Sequence, residues 1–144
     1  MKSDTDRVDT EMQANALKQI TLAVVNLLDS WRLQTAEMQQ LLALPSNVRT
    51  RMFNKYRDGN AFLPNDPLVL RRAMYLLRIN DALRTTYPCN PKMSERWIRQ
   101  PQRRFGRRTP LSMIQEQGED GLIMVLCELD CTFSWDLTSS KPKS

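Results

Sequence analysis

The sequence contains no histidine, and this absence removes the side chain on which most acid–base and nucleophilic catalysis near neutral pH depends. Carboxylates could replace imidazole, but no paired acidic motif lies in a turn or a cleft-like setting. Glycine is scarce as well, with 4 residues, and none of them forms a Gly-rich phosphate loop. We therefore expect a protein that binds partners, without a catalytic site and without a cofactor.

Cysteine is also rare, with 3 residues, and an odd number suits a reducing compartment better than a disulfide framework. Cys127 and Cys131 are four residues apart and could lie on one helix face as metal ligands. Without histidine or a further cysteine pair, however, such a site lacks ligands. We expect both thiols to be buried as small apolar groups and no metal to bind.

Long hydrophobic runs are missing too, since no apolar stretch approaches the roughly 20 residues that a membrane span needs. The first eleven residues are polar and contain no apolar signal-peptide segment. We therefore expect a cytoplasmic protein with no membrane contact. The hydrophobic fraction of 41% is ordinary for a globular chain, and 144 residues are enough to bury a core without disulfides.

Charge is distributed unevenly along the chain. Residues 1–44 carry four basic and six acidic side chains, residues 45–110 fifteen basic and four acidic, and residues 111–144 two basic and six acidic. The basic middle segment suits nucleic acid, whose phosphates it can neutralise. The acidic end suits a basic pocket on another protein. The pattern favours two partners, although any single arginine could be an ordinary solvated charge.

The spacing of the apolar residues predicts helices in the first half of the chain. A first helix covers residues 12–31, and a second begins with Thr35 as its cap and ends near Pro45. Ser46 is a suitable N-cap for a third helix over residues 47–57, which the Asp-Gly pair that follows would end. Two helices joined by a short turn match the helix-turn-helix pattern, which other helical hairpins also resemble.

Helical spacing continues in the second half, and no segment alternates as a strand would. A long helix is predicted to follow the break at residues 64–67 and to continue to about Thr86, and Ser94 is expected to cap a short helix. Thr109-Pro110 combines a cap with proline at the first helical position, so another helix begins there. The last predicted helix is amphipathic and covers about residues 121–131.

The order of motifs in this second half is specific. Leu-Arg-Thr-Thr-Tyr-Pro at 83–88 is followed by Glu-Arg-Trp-Ile at 95–98, Gln-Pro at 100–101 and Phe-Gly-Arg-Arg-Thr-Pro-Leu at 105–111. The stretch from Leu76 to Cys131 resembles the toxin-binding domain of the Xre/MbcA/ParS antitoxin family. Two positions depart from the family pattern, because Ile98 replaces the usual leucine and Gln102 stands where asparagine is common.

The resemblance extends to the N-terminal half, where residues 33–59 look like the Xre-like helix-turn-helix module of the family. It implies an all-α protein in which this module packs with a C-terminal helical toxin-binding domain. The implied organisation is a disordered tail at 1–11, the module at 12–63, the toxin-binding domain at 64–137 and a disordered tail at 138–144.

The resemblance also implies a function and partners. Antitoxins of this family pair with RES-domain toxins, which resemble ADP-ribosyl-transferring folds and consume NAD or modify proteins with it. The C-terminal region of the antitoxin would cover the entrance to the toxin's active site. Many family members also repress their own operon, so operator DNA and a homodimer within the toxin–antitoxin complex are further expectations. A stand-alone helix-turn-helix regulator is the alternative, and a helical protein with neither partner is a third.

The outer face of the third predicted helix supplies the DNA-binding candidates, because amide, hydroxyl and basic side chains contact base edges and phosphates. Arg49 falls on the apolar side of the same helical wheel. A solvated face that never enters a groove is the alternative interpretation. The candidates are Asn47, Thr50, Arg51, Asn54, Lys55 and Arg57.

The toxin-binding candidates come from the basic loop and the acidic end. A pocket for the NAD pyrophosphate must be positive, so an acidic segment suits it. Trp135 would follow the last helix as an aromatic anchor, or it would close the protein's own core together with Phe133. Trp97 and Phe105 are expected in the core. The candidates are Arg103, Arg107, Arg108, Glu128, Asp130, Trp135 and Asp136.

Overall fold

The computed structural model describes residues 4–90 and 92–139, with side chains over 11–90 and 92–130. These residues form seven α-helices and one short 3-10 turn, and they contain no strand, which confirms the all-α expectation. The helices are α1 (Asp4–Ser30), α2 (Thr35–Leu41), α3 (Thr50–Asp58), α4 (Pro67–Thr86), α5 (Met93–Ile98), α6 (Pro110–Gln117) and α7 (Glu119–Ser139), and the 3-10 turn is Arg103–Phe105.

The two terminal helices are longer than the sequence pattern indicates. Helix α1 already begins at Asp4, where a disordered tail was expected, and α7 continues to Ser139, past the predicted end at Cys131. Both extensions lack proline and glycine, so nothing in them stops a helix. The expectation of disorder followed from polarity alone, and residues 140–144 lie outside the described part of the chain.

The connection between α2 and α3 differs from the prediction. Helix α2 starts one residue earlier than a Thr35 cap would require, because the backbone N–H of Gln34 donates to the carboxylate of Glu37 at 3.0 Å. The N-cap of α3 is Arg49 instead of Ser46, because a turn closed by a 3.0 Å hydrogen bond from Val48 N–H to the Pro45 carbonyl comes first. The buried side chain of Val48 fixes this turn to the core.

The resulting connection between α2 and α3 has eight residues, against the three or four of a typical helix-turn-helix. Asn47 therefore lies before α3, whereas Thr50 is its first residue. The end of α3 agrees with the prediction, because Gly59 follows it in a left-handed conformation with φ 78°. The helix-turn-helix assignment stays a prediction.

Helix α4 lies at the centre of the fold, between α1 on one side and α7 on the other. It starts where Asp66 accepts a hydrogen bond from the N–H of Leu68 at 2.9 Å, with Pro67 at its first position. Helix α6 packs on α7 and also contacts α2 and α5. One continuous hydrophobic core therefore joins both halves of the chain, and its α4 members are Val69, Ala73, Leu76, Ile79 and Leu83.

Polar contacts also connect the two halves. Nη1 of Arg72 on α4 donates to the carbonyl of Gln40 at 3.2 Å, at the end of α2. The side-chain amide of Gln115 on α6 donates to the carboxylate of Glu37 at 3.0 Å. The first of these contacts adds a donor to a carbonyl in the last turn of α2, and the second joins α6 to the first turn of the same helix. The N-terminal helices therefore have a fixed position on the C-terminal ones.

Helices α6 and α7 approach each other very closely at Gly121, which is buried. A Cβ atom at this position would lie 2.7 Å from the carbonyl carbon of Met113 and 2.8 Å from Cα of Ile114. Both of these atoms belong to the backbone of α6, so a side chain cannot be accommodated by a rotamer change. Glycine thus sets the spacing of α7, on which the candidate site depends.

The expectation that Cys127 is buried is wrong. Cys127 is exposed, because the buried positions of α7 are Leu122, Val125, Leu126 and Leu129 and position 127 lies on the other side. The side chain of Cys131 lies outside the described residues. Over the described part of the chain, no three His, Cys, Asp or Glu side chains cluster as metal ligands. None of the described helices is long and apolar enough to span a membrane.

Candidate binding surfaces

The six DNA-binding candidates are all exposed. Phe53 and Tyr56 occupy the opposite, buried side of α3, where their rings pack edge-to-face with centroids 5.5 Å apart. Burial raises the pKa of the Tyr56 phenol. Arg49 is exposed at the N-cap of α3 instead of lying on its apolar side, because the helix begins after it. The outer surface of α3 is therefore wider and more basic than the sequence pattern indicates.

Three of these candidates have partners within the protein. The guanidinium of Arg57 binds both carboxylate oxygens of Asp29 on α1 at 2.8 Å, and it also donates to the amide oxygen of Asn54 at 2.8 Å. The hydrogen bond to Asp29 is the main reason why the pKa of Arg57 is raised. The hydroxyl of Thr50 lies 3.2 Å from that of Thr35, at the start of α2.

The other three candidates, Asn47, Arg51 and Lys55, make no side-chain hydrogen bond or ion pair with any described residue. Their polar groups remain available to a ligand, whereas Arg57 already holds α3 on α1. A DNA contact by Arg57 would have to compete with the bidentate pair.

The basic loop of residues 102–108 has a fixed backbone. The N–H of Gln102 donates to the carbonyl of Arg108 at 3.0 Å, and the N–H of Arg107 donates back to the carbonyl of Gln102 at 2.9 Å. Phe105 is buried beneath the loop, as the sequence pattern predicts, and Trp97 on α5 is buried as well. Gly106 is left-handed with φ 62°, a conformation that glycine adopts without strain. The loop thus presents its arginines from a rigid support.

Ion pairs reduce the acidic character that the sequence predicts for the C-terminal segment. Glu128 on α7 lies 3.5 Å from Arg104 of the basic loop, and Glu116 on α6 lies 2.8 Å from Arg108. Glu119 also forms an ion pair, with Arg71 on α4. Three of the acidic side chains therefore face cations of the same molecule.

The remaining toxin-binding candidates divide into two groups. Asp130 is exposed near the end of the described side chains, and Arg103 and Arg107 are exposed on the basic loop. None of these three forms an ion pair within the described residues. The other group comprises Trp135 and Asp136, which belong to α7 instead of following it, and whose side chains lie outside the described part.

Helix α7 carries a second apolar face that points to solvent. We call the row of Asp120, Ile123, Met124, Cys127 and Asp130 the α7 outer face, because all five side chains are exposed. Ile123 is 38% exposed and Met124 is 43% exposed. Sequence reasoning missed this face, although its signal was present. Residues 122–126 are all apolar, and a helix cannot direct five consecutive side chains into one core.

Residues 82–131 match the family model described as the antitoxin Xre/MbcA/ParS C-terminal toxin-binding domain. This match confirms the resemblance for the end of α4, for α5, the basic loop and α6, and for α7 as far as Cys131. No curated protein and no solved structure matches the chain. The match supports an antitoxin role, with a toxin as the partner of this segment.

The match also gives the α7 outer face a meaning. Over residues 82–130, where the matched segment has described side chains, Ile123 and Met124 are the exposed large apolar residues. Exposed apolar side chains that are grouped on one element are typical of a protein–protein contact. The α7 outer face is therefore the surface within the matched segment that is chemically best suited to a protein partner.

Proposed function

We propose that this chain is the antitoxin of a type II toxin–antitoxin pair and that the α7 outer face is its contact with the toxin. The observation that carries the proposal is the coincidence of the exposed Ile123 and Met124 with a segment that matches a toxin-binding domain. Burial of a fully exposed side chain of this kind is worth about 1.5–3 kcal/mol, and because Ile123 and Met124 retain 38% and 43% exposure, each can add roughly 1 kcal/mol to the affinity.

We further propose that the toxin is of the RES type and that the end of α7 covers the entrance to its active site. Trp135 lies eleven residues, about three helical turns, after Met124, which places both positions on one side of the helix. Asp130 and Asp136 add negative charge beside this row, which suits a pocket that binds the pyrophosphate of NAD. Arg103, Arg107 and Arg108 of the basic loop would contact acidic groups at the rim.

A pair of matched methionines tests the toxin contact. Met124→Gln keeps the length and helix propensity of the side chain but buries an amide in the interface, which costs about 1–3 kcal/mol. We expect the affinity for the toxin encoded beside the antitoxin to fall about tenfold or more. Met74→Gln is the control, because Met74 is 46% exposed on α4, outside the matched segment. Equal affinities for both variants, measured by titration calorimetry, would refute the contact.

The double variant Trp135→Ala/Asp136→Ala tests the end of α7. If Trp135 is the anchor, the complex should weaken by about 2 kcal/mol, or roughly thirtyfold, and toxicity should return on co-expression. The melting temperature of the free antitoxin should stay nearly unchanged. A large drop in melting temperature would instead support Trp135 as part of the antitoxin's own core. Full neutralisation by the folded variant would show that the end of α7 does not cover the active site, and the basic loop would become the next candidate for that role.

We also propose that α3 binds operator DNA and that the antitoxin represses its own operon as a homodimer. The exposed and unpaired Asn47, Arg51 and Lys55 support this second activity. The same three residues would serve a stand-alone regulator, which is the alternative function. Arg51→Gln should weaken binding to the promoter duplex, and a toxin pull-down distinguishes the two functions, because a stand-alone regulator retains no toxin.

A further inference from the structure

A basic cleft lies between the end of α1 and helix α5, and it contains none of the toxin-binding candidates. It has a volume of about 400 Å³. We call it the α1–α5 cleft, and its lining residues are Arg32, Lys92, Glu95, Arg96, Arg99 and Gln100. Four cations thus surround one carboxylate, so the cleft suits an anionic ligand.

The side chains of the cleft are held to different degrees. Nη2 of Arg99 donates to the carbonyl of Trp31 at 2.7 Å, which fixes its guanidinium at the end of α1. Nε of Arg32 lies 3.3 Å from the carboxylate of Glu95. Lys92 and Arg96 are exposed and make no side-chain contact of this kind with any described residue. The cleft therefore combines one fixed cation with others that can adjust to a ligand.

Arg32 has an unfavourable backbone conformation for an arginine. Its φ is 58°, and the hydrogen bonds from Arg32 N–H to Asp29 and from Leu33 N–H to Leu28 close the turn that ends α1. Glycine is the preferred residue at this position of the motif, and Gly59 occupies it at the end of α3. Arginine at this position lowers the stability of the turn. A functional role for its side chain is consistent with such strain.

A short segment connects the edge of the cleft to the start of α3. The hydrogen bond between Thr35 and Thr50 brings the start of α2 next to the start of α3. Thr35 is three positions after Arg32, a separation of about 11 Å at most. Arg49 and Arg51 flank Thr50, and both are exposed. Arg32 at the edge of the cleft therefore lies closer to Arg49 and Arg51 than one turn of DNA, about 35 Å.

We propose that the α1–α5 cleft binds the phosphate backbone of DNA, so that the C-terminal domain extends the DNA-binding surface of α3. The inference rests on the proposed DNA binding by α3 and adds a contact from α5, which lies in the segment that matches the toxin-binding family model. Phosphate contacts position a protein on the duplex without reading its sequence. The cleft would therefore raise the affinity for operator and unrelated DNA alike, and toxin bound to the same domain could be coupled to DNA binding.

The test compares salt dependence for variants of the full chain. The probes are two fluorescent 30-base-pair duplexes. One has the promoter sequence of the antitoxin's own gene, and the other is a shuffled sequence of the same composition. Lys92→Gln/Arg96→Gln should flatten the slope of log K against log salt by about 1.8, or 0.9 for each lost phosphate contact. The factor by which the binding constant falls between 50 and 200 mM salt should then be about twelve times smaller for the variant than for the unmodified protein. Both duplexes should change equally.

A second variant, Arg32→Gly, separates the loss of a charge in the cleft from a loss of folding stability. Glycine removes the charge and relieves the left-handed strain, so the melting temperature should stay the same or rise while the slope falls by about 0.9. The control is Arg78→Gln, since Arg78 is an exposed cation of α4 beside Leu126 and Asp130 of α7. Its slope should equal that of the unmodified protein.

Each result has a distinct meaning. If Arg51→Gln weakens binding and the cleft variants do not, the inference is overturned while DNA binding by α3 stands. If the chain does not bind either duplex at 50 mM salt, both the inference and the proposed DNA binding fail. If the cleft variants weaken toxin binding and leave the DNA slopes unchanged, the cleft is a protein contact and the inference is likewise overturned. Toxin neutralisation by the unmodified chain is measured separately, so the proposed antitoxin function stands or falls independently of the DNA results.

Discussion

Replacement of Gly121 by alanine is the substitution whose effect the structure predicts most sharply. In an unobstructed helix, alanine is more stable than glycine by about 1 kcal/mol, so propensity alone predicts a more stable protein. Here the new methyl group would lie within 3 Å of the carbonyl carbon of Met113 and Cα of Ile114. Backbone atoms cannot move aside as a side chain can, so α6 and α7 must separate.

The magnitude follows from these opposing effects. Forced overpacking in a core costs typically 1–3 kcal/mol, and a clash with the backbone of a second helix belongs at about the upper end. After the gain in helix propensity, we expect a loss of about 2 kcal/mol in the free energy of unfolding. For a chain of this size that is roughly 4–8 °C in melting temperature. Because α7 shifts, the affinity for the toxin should fall as well.

Thermal and urea unfolding monitored by circular dichroism measure this effect. A melting temperature equal to or above that of the unmodified protein would refute the close approach of α6 and α7. The sign of the change is decisive, because helix propensity and packing predict opposite directions.

Three further substitutions test the core and its polar contacts by the same unfolding measurements. Thr21→Val leaves the N–H of Leu63 without the buried hydroxyl that accepts its 2.9 Å hydrogen bond, and should cost about 1–3 kcal/mol, whereas a neutral effect would contradict the contact. Tyr56→Phe should lessen the loss of stability above about pH 10. Burial raises the pKa of Tyr56 in the folded state. The stabilising contribution of the neutral phenol is therefore complete below the pKa that Tyr56 has in the unfolded chain, and it is lost as the pH rises through the pKa of the folded protein. Asp29→Asn should cost less than about 1 kcal/mol, because the pair with Arg57 is partly exposed, and a larger loss would show that α3 depends on it.

Local signals in the sequence predict much of the helical fold. The cap at Thr109 and the proline after it start α6 as expected, with the Thr109 hydroxyl accepting from the N–H of Ser112 at 3.0 Å. The apolar spacing of Leu122, Val125 and Leu129 likewise identifies the buried face of α7. Caps and helical periodicity act within a few residues of the chain, so they are visible in the sequence.

Features that depend on distant residues could not be read in this way. Ser46 has the chemistry of an N-cap, but the insertion of Val48 into the core delays the start of α3 until Thr50. The acidic end of the chain looked free to contact a basic pocket, yet Glu128 lies against Arg104, twenty-four residues earlier. Net charge over a segment does not reveal such pairs, because they depend on how the elements pack.

The reactivity of Cys127 shows whether the toxin covers the α7 outer face. This thiol is exposed in the middle of the face, and Cys89, exposed after the end of α4, reports whether the reagent itself is active. The free antitoxin and its purified toxin complex are alkylated in parallel, and each cysteine is quantified by mass spectrometry. We expect saturating toxin to slow the alkylation of Cys127 by roughly tenfold or more, because an interface residue is shielded from solvent. Alkylation of Cys127 at the same rate in the complex as in the free protein would contradict the proposed contact.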